Sequence, residues 1–227
     1  MTKTEWFPED KEELNELLDD FIIGDKKKVN GIIVPHAGYQ FSGTVAGKAY
    51  GKIDEVNRVV IFGPSHNVGF RGIKVLNKIV TPFGEIKIIP NEYEKMDYEH
   101  SVVNQIPFLQ KLNLEVEVLP LVVGELNLDE AKKIAEELKN FDGIFIFSTD
   151  LSHFLDYDSA VEVDMASIGL IEDLNVSEVD ACGKYPLLIM QELCKIRGWK
   201  PEKIDYQNSG DVTGDKSSVV GYASFYF

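Results

Sequence analysis

The chain has 227 residues, enough for one substantial α/β domain with a large core. Its 38 acidic against 23 basic residues give a formal net charge of −15, which argues against a nucleic-acid backbone as ligand, since that needs a basic patch or stripe. Two cysteines, an acidic N-terminus with no apolar core, and no run near the ~18 apolar residues of a membrane span lead us to expect a cytoplasmic protein with neither a disulfide scaffold nor a membrane anchor.

The first predicted element is a helix from Asp10 to Phe21, where Leu14, Leu17, Leu18 and Phe21 recur at helical spacing behind a proline and acidic residues. A strand follows at Gly31–Val34, then a histidine loop and a helix over Gly43–Tyr50. The strand Arg58–Phe62 leads into a second histidine loop, and residues 72–90 read as short strands or hairpins. A helix is predicted over Val102–Leu112, with Pro107 either bending it or confining its first turn. Residues 116–124 read as a strand, 129–138 as an amphipathic helix and Gly143–Phe147 as a buried strand. Helices near 158–173 and 186–197 precede closing strands at Lys203–Tyr206 and Ser218–Phe227. Strands alternating with helices, without an internal repeat or a linker, predict one domain over residues 1–227. Its class is α/β, a three-layer α/β/α sandwich around a largely parallel mixed sheet.

The chain has four histidines, each in a short polar, turn-rich cluster: His36, His66, His100 and His153. Three of them follow apolar β-branched or aromatic runs: G-I-I-V before His36, R-V-V-I-F before His66 and G-I-F-I-F before His153. In a parallel sheet the carboxyl ends of the strands converge on one crevice, where ligands bind. A lone loop histidine is more often a hydrogen-bonded surface residue, but two at matching strand ends suggest ligand or catalytic roles for His36 and His66. Pro35, Ala37 and Gly38 leave room beside His36, and Gly63-Pro64-Ser65 turns the chain before His66.

Cys182 lies just before a predicted helix and near Lys184, both of which lower a thiol pKa; the alternative is a small buried apolar residue. Cys194, on an apolar helix face, reads as core. Asp150, three residues before His153, either orients that imidazole for acid–base work or caps the next helical turn. His100, at a helix start, reads as a substrate-side or supporting group. The loop 208–215 fails the EF-hand pattern, and no phosphate-binding glycine loop, nucleophile elbow or H-E-x-x-H occurs.

Taken in order, P-H-A-G-Y (35–39), G-P-S-H (63–66), E-H-S (99–101), S-T-D-L-S-H (148–153), C-G-K-Y-P (182–186) and S-G-D-V-T-G-D (209–215) with V-V-G-Y-A-S (219–224) resemble the Memo family. That family is also known as protein B of the AMMECR1–Memo–radical SAM gene set. The resemblance runs from about Phe7 to the C-terminus, and the front of the chain looks shorter than in typical members. It implies a fold like the class III extradiol dioxygenases, which hold Fe(II) with two histidines and a carboxylate, here with cysteine in place of the carboxylate. By motif position it implies His36, His66 and Cys182 as the metal-facing set, His153 as the acid–base histidine and His100 as the substrate-side histidine.

The resemblance thus implies a copper- or iron-binding, redox-active protein. A thiolate is softer than a carboxylate and is itself oxidisable, which makes ordinary extradiol cleavage a weaker expectation. Two further readings stand behind it: an iron-dependent oxygenase-like enzyme on a small substrate, and a non-catalytic module that uses the old pocket for recognition. The expected partners are a small-molecule or peptide ligand in the strand-end pocket and, by gene-set association, AMMECR1-like and radical SAM proteins.

Overall fold

The computed structural model describes residues 6–227. Helix α1 (Lys11–Phe21) is capped by Asp10, whose carboxylate accepts the Glu13 amide, and it buries Leu14 and Leu18 as their spacing requires. Then follow β1 (Gly31–Val34), α2 (Tyr39–Tyr50), β2 (Arg58–Pro64), β3 (Ile73–Leu76), the small hairpin β4 (Val80–Thr81) and β5 (Gly84–Glu85), β6 (Lys87–Ile88) and β7 (Glu94–Met96). The middle of the chain forms α3 (His100–Val103), α4 (Ile106–Leu112), β8 (Glu117–Val123), α5 (Leu128–Leu138) and β9 (Ile144–Ser148). The last part forms β10 (His153–Leu155), α6 (Tyr157–Glu172), α7 (Lys184–Arg197), β11 (Glu202–Asn208), α8 (Ser209–Thr213) and β12 (Val219–Tyr226).

Ten strands make one sheet in the order β10-β12-β1-β9-β2-β8-β3-β7, with β11 added to β12 and β6 to β8. The centre, β1-β9-β2-β8, is parallel throughout, while β12 and β3 flank it antiparallel. Its strands read as unbroken apolar runs because both faces are covered. Ile32, Val34, Val59, Ile61, Ile144 and Ile146 face the layer that contains α1, α2 and α4. Their neighbours Ile33, Val60, Phe62, Phe145 and Phe147 face the opposite layer of α5, α6 and α7. The predicted three-layer α/β/α class is what the chain forms. Among the described residues no helix is long and apolar enough to cross a membrane.

Two departures from the predicted elements shape the site. Helix α2 begins at Tyr39 rather than Gly43, because the Gly38 carbonyl accepts the Ser42 amide and the Ser42 hydroxyl closes on the Ala37 carbonyl. The loop carrying His36 is therefore only four residues long. The predicted helix 102–112 is two helices, and Pro107 sits in the first turn of the second, where its missing N–H costs nothing. Between them, Asn104 and Gln105 turn their amides back to the His36 and Pro35 carbonyls at 2.7 and 3.0 Å. The loop 208–215 becomes the short helix α8, closed by a reciprocal Asn208–Asp211 cap.

Candidate metal centre

Register brings the site together. Val34 pairs with Ser148 and Phe62 with Phe147, so β1, β9 and β2 end at one level and their loops leave from the same rim. Strand β9 lies between the other two, so the His36 and His66 loops flank the Ser148-Thr149-Asp150 segment.

His36 is buried, with 2 % of its surface exposed. Its Nδ1 lies 2.8 Å from Ser148 Oγ. That hydroxyl gives its only proton to the Ser101 carbonyl at 2.6 Å and also accepts from Gln105 Nε2 at 3.0 Å. Ser148 must therefore accept from His36, which places the imidazole proton on Nδ1 and leaves the Nε2 lone pair free. Burial, reinforced by the nearby His66 and His100 rings and opposed by Asp150, pushes the His36 pKa down to about 4. The ring is thus neutral at physiological pH, as a ligand must be.

His66 stands more open, its side chain 30 % exposed. Its Nδ1 is 3.0 Å from Oε1 of Glu99 and its backbone amide donates to Oε2 at 2.8 Å. Glu99 is completely buried and also accepts the Ser101 amide at 3.2 Å, with His100 Nδ1 lying 3.0 Å from Oε1. Burial alone would raise its pKa, but the hydrogen bonds from His100 and His66 hold the carboxyl well below the usual range. Gly63 makes this approach feasible, since a Cβ there would meet Ser101 Oγ at 2.4 Å. His100 lies 4.4 Å from the His66 ring, centroid to centroid, and stacks on Trp6 at 4.2 Å and 10°.

Cys182 enters from the loop before α7 and docks on the end of β9. Its amide donates to the Asp150 carbonyl at 3.2 Å, while the Asp150 amide donates to Sγ at 3.3 Å. Gly183 permits the contact, because a Cβ would meet Thr149 Cβ at 2.4 Å. Cys182 Sγ lies 3.3 Å from His36 Nε2, the arrangement of a thiol proton donated to the free imidazole nitrogen. The expected lowering of the thiol pKa does not occur: burial and the Asp150 carboxylate push it well above its ordinary value. The Gly183 amide, beside the start of α7, is already bonded to Thr149 Oγ1 at 2.8 Å rather than turned to the sulfur.

The donor atoms of His36, His66 and Cys182 all lie within 4.8 Å of one another. Metal–nitrogen bonds of ~2.1 Å and a metal–sulfur bond of ~2.3 Å set donors roughly 3.5 Å apart in a tetrahedral shell, so the set fits one ion with small adjustments. The ionised, buried Glu99 behind His66 adds negative charge that suits a cation.

Asp150 takes neither role expected of it. Its Oδ1 accepts the His36 amide at 2.8 Å and Oδ2 lies 3.9 Å from His36 Nε2, so it fixes the His36 loop and not His153. His153 instead places Nδ1 2.8 Å from the Leu151 carbonyl and sits beside Phe154, which holds a left-handed φ of 63°. Glu99 and Trp6 are the site residues that the sequence reading missed; the acid directly before His100 was the available signal for Glu99. A cleft of about 750 Å³ opens beside the centre, bordered by Trp6, His66, Lys95, Tyr98 and His100.

Comparisons with known proteins find relatives along nearly the whole chain. Residues 3–226 match the family model described as Memo-like protein. A MEMO1 family protein of Aquifex aeolicus is 35 % identical, covering 98 % of this chain and 96 % of its own length. Another of Methanococcoides burtonii is 37 % identical over 86 % of this chain and 85 % of its own, and one of Sulfolobus acidocaldarius is 34 % identical over 86 % and 81 %. With the motifs, the fold and these relatives in agreement, the chain belongs to the Memo family.

Proposed function

We propose that this chain binds one redox-active metal ion, copper or iron, through His36, His66 and Cys182, and that its role is a redox one. The observation that carries the reading is the convergence of three donors within 4.8 Å, with each histidine's Nδ1 already held by Ser148 or Glu99. Two imidazoles and one thiolate form a soft set that favours Cu(I), while the expected kinship with extradiol dioxygenases keeps Fe(II) in play. When bound, either ion supplies one-electron chemistry at this rim. The residues around it have separate tasks. Ser148 and Glu99 hold the rings, Asp150 holds the His36 loop, and His153, with Nδ1 on the Leu151 carbonyl, keeps Nε2 available to move a proton.

The cleft beside His66 and His100 favours a second reading, an oxygenase-like enzyme acting on a small substrate seated there. The test is metal content by plasma mass spectrometry on protein purified anaerobically without a tag, beside His36→Ala and Cys182→Ser. About one equivalent of copper or iron, lost in both variants, supports the metal reading. Protein that carries no metal and refuses both Cu(I) and Fe(II) on titration overturns it and leaves a recognition module. Oxygen consumption that survives in His153→Ala counts against the oxygenase reading.

A further inference from the structure

We infer that Glu99 is a positioning residue that sets the tautomer of two histidines at once, presenting one nitrogen to the metal centre and one to the cleft. The inference rests on the metal reading for His66 but not for His100. Both oxygens of this fully buried carboxylate already accept backbone amides, Oε2 from His66 and Oε1 from Ser101. The group is therefore an acceptor on both sides. His66 Nδ1 donates to Oε1 at 3.0 Å, and His100 Nδ1 lies 3.0 Å from the same oxygen. A bare nitrogen lone pair against a carboxylate is repulsive there and an N–H is the favoured form, so both rings are assigned their proton on Nδ1. In a neutral imidazole the other nitrogen is then a bare lone pair.

For His66 that lone pair is the metal donor. For His100 it is an acceptor in a ring that borders the cleft. The Trp6 stack fixes the plane of the His100 ring, and Glu99 fixes its flip within that plane. The cleft thus selects ligands that bring an O–H or N–H donor to His100, and excludes those that can only accept. Because one oxygen serves both rings, a change at Glu99 disturbs the metal donor and the cleft acceptor together.

The experiment is a long-range proton–nitrogen correlation spectrum of the histidine rings in metal-free, nitrogen-15-labelled full-length protein near neutral pH, with Co(II) titrated in parallel. The expected spectrum shows His66 and His100 both protonated on Nδ1. In Glu99→Gln the new amide N–H can donate to a ring, so at least one of the two loses that pattern while His153 keeps its own. Cobalt affinity should fall about 10–100-fold in the same variant, the usual effect of removing an outer partner of a ligand histidine. A proton on Nε2 of either ring in the wild type, or both patterns unchanged in Glu99→Gln, overturns the inference. Should that variant fail to fold, the wild-type tautomers decide the matter. Failure to take up cobalt would count against the metal reading, with the tautomers still judging Glu99.

Discussion

The two ends of the central parallel strands carry clefts of similar size but differ in what their polar groups have left to offer. At the carboxyl end, His36 and His66 have one nitrogen held from behind and one free, and Cys182 faces them. At the amino end, a cleft of about 660 Å³ is lined by Lys27, Arg58, Phe141, Arg197 and Trp199 among others. Three of its cations are already engaged. Arg58 sits 5.0 Å over Phe141, Arg197 4.6 Å over Trp199, and Lys27 4.6 Å over Tyr226. Arg197 also donates to the Lys139 carbonyl at the end of α5, as cations do at helix C-termini. Cleft volume therefore says little about function here, and uncommitted donor atoms say much.

The comparison predicts a division of effects. Replacing His36 by alanine should lower Cu(I) affinity by at least about 100-fold, more than the loss of an outer partner costs, whereas Arg58→Ala should leave it unchanged in a competition titration. Trp199→Ala should do the reverse. It removes a ring packed on Phe145 and Phe227 and should cost about 3 kcal/mol in denaturant unfolding with no change in metal affinity.

The pH dependence of the metal-free protein belongs to the carboxyl end. Folded His36 binds its proton with a pKa of about 4 against 6.5 in the unfolded chain. Between those values the unfolded state holds more protons, so stability rises with pH across the window, is complete above its upper end and is lost below its lower end. The span is about 3 kcal/mol, and His36→Asn should flatten it in unfolding curves taken from pH 4 to 7. The smallest effect expected is Arg197→Ala, within about 1 kcal/mol, the scale of an exposed cation–aromatic pair.

Much of this was legible in the sequence, for physical reasons that also explain the misses. Strands β1, β2, β8 and β9 announce themselves because burial on both faces demands unbroken apolar runs. The three-residue strands β7 and β10 are too short to show a period. His36, His66 and Cys182 could be picked out because chemistry-bearing residues directly after strands, or ahead of a helix, converge in this architecture. Their supports could not. The partner of Asp150 lies 114 positions away at His36, and that of Glu99 lies 33 away at His66, so no local pattern reveals either bond. The break between α3 and α4 has the same origin, since Asn104 and Gln105 suit a helix until their amides find carbonyls 68 and 70 positions away. Of the two readings of Cys182, the lowered thiol pKa fails because its local signals, a helix start and a lysine, are outweighed by burial and by Asp150.

The central claim is that one ion sits between two imidazoles and one thiolate. X-ray absorption at the metal edge of protein loaded anaerobically with one equivalent of Cu(I) tests it most directly. The account predicts one sulfur scatterer near ~2.3 Å and two imidazole nitrogens near ~2.0 Å, with the sulfur lost in Cys182→Ser. A shell without sulfur in the wild type would contradict it.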